Sequence, residues 1–139
     1  AISFMKDIHR MFQYHGAEHM AANCYEFHKP LTIKNVKRYS PVHPRCGTSF
    51  IMLVLIISII LFSFITSELW YDKLMWRLLL IPVVAGISYE ILRLGGKFRS
   101  NWFMNILIAP GKWVQRITTQ KPTDKMVEVA IAAMKGVMR

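Results

Sequence analysis

Acidic side chains are scarce in this 139-residue chain: eight Asp and Glu stand against 18 Lys and Arg, for a formal net charge of +10. Such a surplus fits nucleic acid, an anionic lipid surface or a ribosome-like assembly, and charge alone does not choose among them. Cysteine is sparse too, with only Cys24 and Cys46. Two thiols make no disulfide framework for a small secreted domain; a thiolate ligand or a plain buried thiol is the expectation. A Gly-rich phosphate loop, an internal repeat and a low-complexity linker are all missing, which argues against nucleotide-binding, solenoid and linker-rich classes. The opening has neither an initiator Met nor the charged n-region of a signal peptide, so the chain reads as part of a longer protein.

What the chain has in plenty is apolar surface, at 53% hydrophobic residues with a mean hydropathy of +0.28. From Phe50 to Ile65 only Ser58 and Ser63 are polar, and with Thr48, Ser49 and the tail through Trp70 the run is about 20 residues long. At about 1.5 Å per residue, such a helix covers the roughly 30 Å of a bilayer's hydrocarbon layer. Ser67–Asp72 reads as a short turn carrying an interfacial Trp70–Tyr71 pair. The second run, Leu74 to Leu92, contains Arg77, Pro82, Gly86 and Glu90, and reads as a kinked crossing helix or a re-entrant segment. Lys29, Lys34, Lys37, Arg38 and Arg45 precede the first run and Arg93, Lys97 and Arg99 follow the second, against Lys73 and Arg77 between them. The positive-inside rule then puts both termini in the cytoplasm. Basic residues flanking apolar runs favour a lipid surface over sequence-specific nucleic acid.

Chemistry concentrates in His15-Gly-Ala-Glu-His19 and in His43-Pro-Arg-Cys46. Residues 2–27 read as one helix, with Met5, Ile8, Phe12, His15, His19, Ala22 and Glu26 along a seam of alternating three- and four-residue steps. On such a helix positions 15 and 19 lie about 40° apart and Glu18 about 60° to the other side of His15, so all three side chains can share one space. Two imidazoles one turn apart chelate transition metals, and H-x-x-E-H is the order in which a carboxylate serves as general base beside zinc. The Ser40–Thr48 loop, stiffened by two prolines, would present His43 and Cys46 to that pair. The expected donors are His15, His19 and Cys46, with His43 or Glu26 as the fourth and Glu18 as the base. Cys24 sits about 140° round the helix from His19 and is the lesser candidate. The plainer account of the same residues is a polar helix face that is solvated or hydrogen-bonded in a core. Glu90 invites a role as a third ligand or proton carrier, and the plainer expectation is that it pairs with Arg93 or snorkels to the interface.

Pro30 is expected to end the first helix and Thr32 to cap a short basic one through about Tyr39. Residues 97–119 read as two short interfacial helices broken at Ala109-Pro-Gly111. Thr123 or Asp124 opens a last helix to about Met138, with Lys135 and Arg139 matching its dipole. The expected fold is thus an all-α membrane protein in three parts. Residues 1–47 form the cytoplasmic metal-motif helix and loop, 48–94 a transmembrane hairpin, and 95–139 the interfacial and C-terminal helices.

Phe12-Gln-Tyr-His-Gly-Ala-Glu-His19, Tyr25-Glu26, His43-Pro-Arg-Cys-Gly-Thr-Ser-Phe50, Ala85-Gly-Ile-Ser-Tyr-Glu90, Ala109-Pro-Gly111 and Met126-Val-Glu-Val-Ala-Ile131 resemble the C-terminal half of the bacterial YqhQ family. Met20 stands where that family commonly has lysine. The resemblance implies a bacterial inner-membrane protein of unknown function with a metal-dependent enzyme chemistry. The expectation is a membrane-embedded zinc protein of hydrolytic type. An accessory protein of a translocon or ribosome complex with a structural metal, and a transporter subunit, are the alternatives.

Overall fold

The computed structural model describes residues 6–138. Six helices follow in order: α1 (Lys6–Glu26), α2 (Ile33–Val36), α3 (Gly47–Ser63), α4 (Trp70–Lys97), α5 (Trp102–Thr118) and α6 (Asp124–Val137). Among the described residues there is no strand. The start of the expected first helix, including Met5, and the terminal Arg139 lie outside the described residues. The chain forms two compact units that are not consecutive segments. One joins the residues up to His43 with those from Trp113 onward, and the other is Pro44–Lys112.

In the first unit α1 and α6 pack through small and flexible side chains. Ala17, Met20, Ala21 and Cys24 of α1 meet Met126, Val127, Ala130 and Ile131 of α6, and α2 adds Val36. Alanines at successive turns let two helix backbones approach closely. Gly16 carries this further, because a Cβ there would collide with the Gln120 carbonyl oxygen. The Gln120 N–H donates in turn to the Phe12 carbonyl at 2.9 Å. The buried stripe of α1 is therefore rotated from the seam of three- and four-residue steps: of that seam's described members, only His19 is buried. Alanine and glycine carry little hydropathy, yet they dictate which face can touch a neighbour.

The end of α1 is a Schellman turn. His28 N–H donates to the Tyr25 carbonyl at 2.8 Å and Lys29 N–H to the Cys24 carbonyl at 3.1 Å, with His28 at a left-handed φ of 54°. Pro30 only follows a stop already made. Thr32 caps α2 as expected, its Oγ1 accepting from Asn35 N–H at 3.3 Å, and Thr123 is the N-cap residue of α6.

The second unit is built on α3 and α4, which pack together across the link Phe64–Leu69. Helix α3 ends at Ser63, short of Trp70, and its 17 residues cover about 25 Å. Ser67 holds the link, its Oγ accepting from Leu69 N–H at 3.3 Å and donating to Asp72 Oδ2 at 3.2 Å. Trp70–Asp72, expected as a turn, are the first turn of α4. That helix runs unbroken for 28 residues through Pro82, about 42 Å. It is long and apolar enough to cross a membrane, and only 17% of its most apolar window is buried. The core helix of a water-soluble protein would be mostly buried. Glu90 and Arg93 pair at 3.2 Å, as expected.

Helix α5 corrects the reading of residues 97–119 as two short helices, since Trp102–Thr118 is continuous through Pro110. Proline forfeits one hydrogen bond, and tight packing on the same helix outweighs that loss. Ile108, Gly111 and Gln115 are buried at i, i+3 and i+7, and a Cβ on Gly111 would strike Ser49.

Candidate metal centre

Helical spacing brings His15 and His19 together on α1, their ring centroids 4.3 Å apart with planes at 63°. Each ring is held by a main-chain carbonyl. His15 Nδ1–H donates to the Thr118 carbonyl at 3.0 Å, and His19 Nδ1–H donates to the Pro41 carbonyl at 2.7 Å. A carbonyl can only accept, so these contacts put the proton on Nδ1 and the basic lone pair on Nε2 in both rings. Burial pushes the His19 pKa below its ordinary value, against the Pro41 hydrogen bond and the neighbouring Glu18 charge, which both raise it. A neutral imidazole is the form that ligates metal.

His43 adds a further imidazole beside this pair, with its ring centroid 5.8 Å from that of His19. It is buried, and its Nε2 stands 3.2 Å from Glu26 Oε1, inside ion-pair range but off the line of a good hydrogen bond. The first unit thus gathers His15, His19, His43 and Glu26. Glu18 is exposed on α1.

Two residues without any motif fix this arrangement. Asn23, buried on α1 one turn beyond His19, donates to the Ser40 and Val42 carbonyls at 3.0 and 3.1 Å. Gln115, fully buried on α5, accepts from His43 N–H at 2.8 Å and donates to the His43 carbonyl at 2.9 Å. Together they clamp the segment 40–43 from both sides. The available sequence signal was an amide on the stripe Ile108, Gly111, Gln115, where an apolar residue would otherwise pack.

Cys46 belongs to the second unit. It is buried at the N-cap of α3, and its Sγ lies 3.2 Å from Thr48 Oγ1. Cys24 stands apart from the imidazoles in the apolar core of the first unit. Its thiol faces the Lys29 and Pro30 carbonyls at 3.8 Å, and burial pushes its pKa up.

The family described as "Protein of unknown function (DUF1385)" matches residues 1–139. "Uncharacterized protein YqhQ" of Bacillus subtilis (strain 168) is 42% identical over 132 residues, which are 95% of this chain and 42% of that relative. The chain therefore spans less than half of that relative's length. No solved structure matches it. With the His15–His19 and His43–Cys46 segments both inside the matched region, the chain belongs to the DUF1385 family, of unknown function, together with YqhQ.

Proposed function

We propose that this chain is a membrane-anchored metal-binding protein, in which His15, His19 and Cys46 hold one zinc ion in a site of hydrolytic type. The observation that carries the reading is the matched tethering of two adjacent imidazoles: both Nδ1–H groups are taken by carbonyls, so both Nε2 atoms are donors. Metal-ligating histidines characteristically donate their other ring N–H in this way. Cys46 completes a donor set of the right chemical kinds. It follows the clamped His43 by three residues, so its Cα stands within about 11 Å of that of His43.

Glu26 and His43 engage one another, which leaves three protein donors. Three donors and one open position are the pattern of catalytic rather than structural zinc, which would supply Lewis acidity and an activated water. The exposed carboxylate of Glu18, one residue before His19, would accept the proton at Oε. The membrane reading rests on α4, whose apolar side chains Leu78, Leu79, Ile81 and Val83 are exposed and need an apolar solvent. With α3 it would form a hairpin in the bacterial inner membrane, with the basic flanks and both termini cytoplasmic. The exposed Lys29, Lys34, Lys37 and Arg38 favour a second reading, in which the metal only staples the fold and the basic surface docks a translocon or ribosome.

Elemental analysis of protein purified in mild detergent tests the first claim. About one zinc per chain is expected, retained in Glu18→Gln and lost in His19→Ala and Cys46→Ser; a metal-free wild type overturns it. Loss of ester or peptide hydrolysis in zinc-loaded Glu18→Gln supports the enzyme, and unchanged hydrolysis removes Glu18 as base.

A further inference from the structure

Helix α5 has two opposite faces, one buried and one apolar but exposed. At about 100° per residue, Ile108, Gly111 and Gln115 fall within an arc of about 60°, and this is the buried side. Trp102, Ile106, Trp113 and Ile117 fall in a second arc of about 60° roughly opposite, joined at its edge by Phe103. All five are more than half exposed. Arg116, also exposed, flanks that arc.

We propose that this outer face lies in the plane of an anionic bilayer surface, with the two tryptophans at headgroup depth and Arg116 on lipid phosphate. The inference rests on the reading that α4 enters the membrane. Three features select lipid. Helix α4 ends at Lys97, five residues before Trp102, so α5 would start where the chain leaves the bilayer. Lys97 and Arg99 lie at that junction, and an anionic leaflet complements them. Pro110 has no N–H to give the Ile106 carbonyl, which sits on the outer arc. In hydrocarbon or a dry protein interface a carbonyl short of its partner is costly, whereas interfacial water satisfies it. An aromatic-studded helix flanked by a cation is the composition of an in-plane anchor, seated about 5–10 Å into the headgroup boundary.

The test is tryptophan quenching of the full chain in phosphatidylethanolamine–phosphatidylglycerol vesicles with bromines placed either high or low on the acyl chains. The double variant Trp70→Phe, Trp76→Phe leaves Trp102 and Trp113 as reporters of α5, and Trp102→Phe, Trp113→Phe leaves the α4 pair. For α5, the high bromines should quench at least about twofold more than the low ones, consistent with headgroup depth. Stronger quenching by low bromines would mean α5 dips into the core, and no quenching would mean a protein or solvent covers it; either overturns the proposal. If the α4 pair is also unquenched, the fault lies in the membrane reading itself.

Discussion

Replacing Gln115 by methionine keeps the volume of a fully buried side chain and removes its hydrogen-bonding amide. Wild-type Gln115 satisfies both the N–H and the carbonyl of His43, at 2.8 and 2.9 Å. Losing both leaves two main-chain polar groups without this partner at a buried residue, each costing about 1–3 kcal/mol. The two losses share one segment and will not add fully, so the expected penalty is about 2–4 kcal/mol. Since each 1.4 kcal/mol is tenfold, local opening of residues 40–43 should become about 30- to 1,000-fold more frequent. Amide hydrogen exchange read by mass spectrometry on peptides spanning that segment measures this directly. The α3–α4 peptides of the other unit serve as the internal reference. A change below about threefold would mean that Gln115 does not clamp the loop.

Other substitutions probe the helix packing. Gly16→Ala gains up to about 1 kcal/mol of helix propensity but drives a methyl into the Gln120 carbonyl. Net destabilisation of about 1–3 kcal/mol is expected in a denaturant series, and a stabilised variant would contradict the close approach. His28→Gly should stabilise by about 1 kcal/mol, because His28 occupies the left-handed region at φ 54°; an unchanged midpoint would mean the turn is not strained. Cys24, with no exposed surface, should resist maleimide in the folded protein and react once it is unfolded. Its pKa is raised above the ordinary 9.0, so the unfolded chain releases this proton first. The stability Cys24 contributes is full below that value and lost as pH rises through the folded one. Cys24→Ala should lack this alkaline component in a stability–pH titration, and an identical profile would refute it.

The parts of this molecule that sequence made legible are those where local chemistry and tertiary need agree. The His15–His19 spacing, the Thr32 cap and the Glu90–Arg93 pair depend on helical geometry alone. Helix continuity through Pro110 was hidden because proline's cost is local while Ile108, Gly111 and Gln115 pack from outside the window. The relative strength of the two apolar runs was hidden by composition. The purer run makes the shorter helix, and the one carrying Arg77, Pro82 and Glu90 makes the 28-residue one, because helix length follows where the chain turns. Asn23 and Gln115 carry no motif at all; each is an ordinary amide until the 40–43 segment folds against it.

The proposed centre is tested most directly by X-ray absorption at the zinc edge on the purified protein. The account predicts a nearest shell of two imidazole nitrogens at about 2.0–2.1 Å and one sulfur at about 2.3 Å. Cys46→Ser and His19→Ala, which should lose the metal, should show no zinc edge above background. Zinc bound with no sulfur neighbour, or a wild-type spectrum unchanged by loss of His15 and His19, would contradict it.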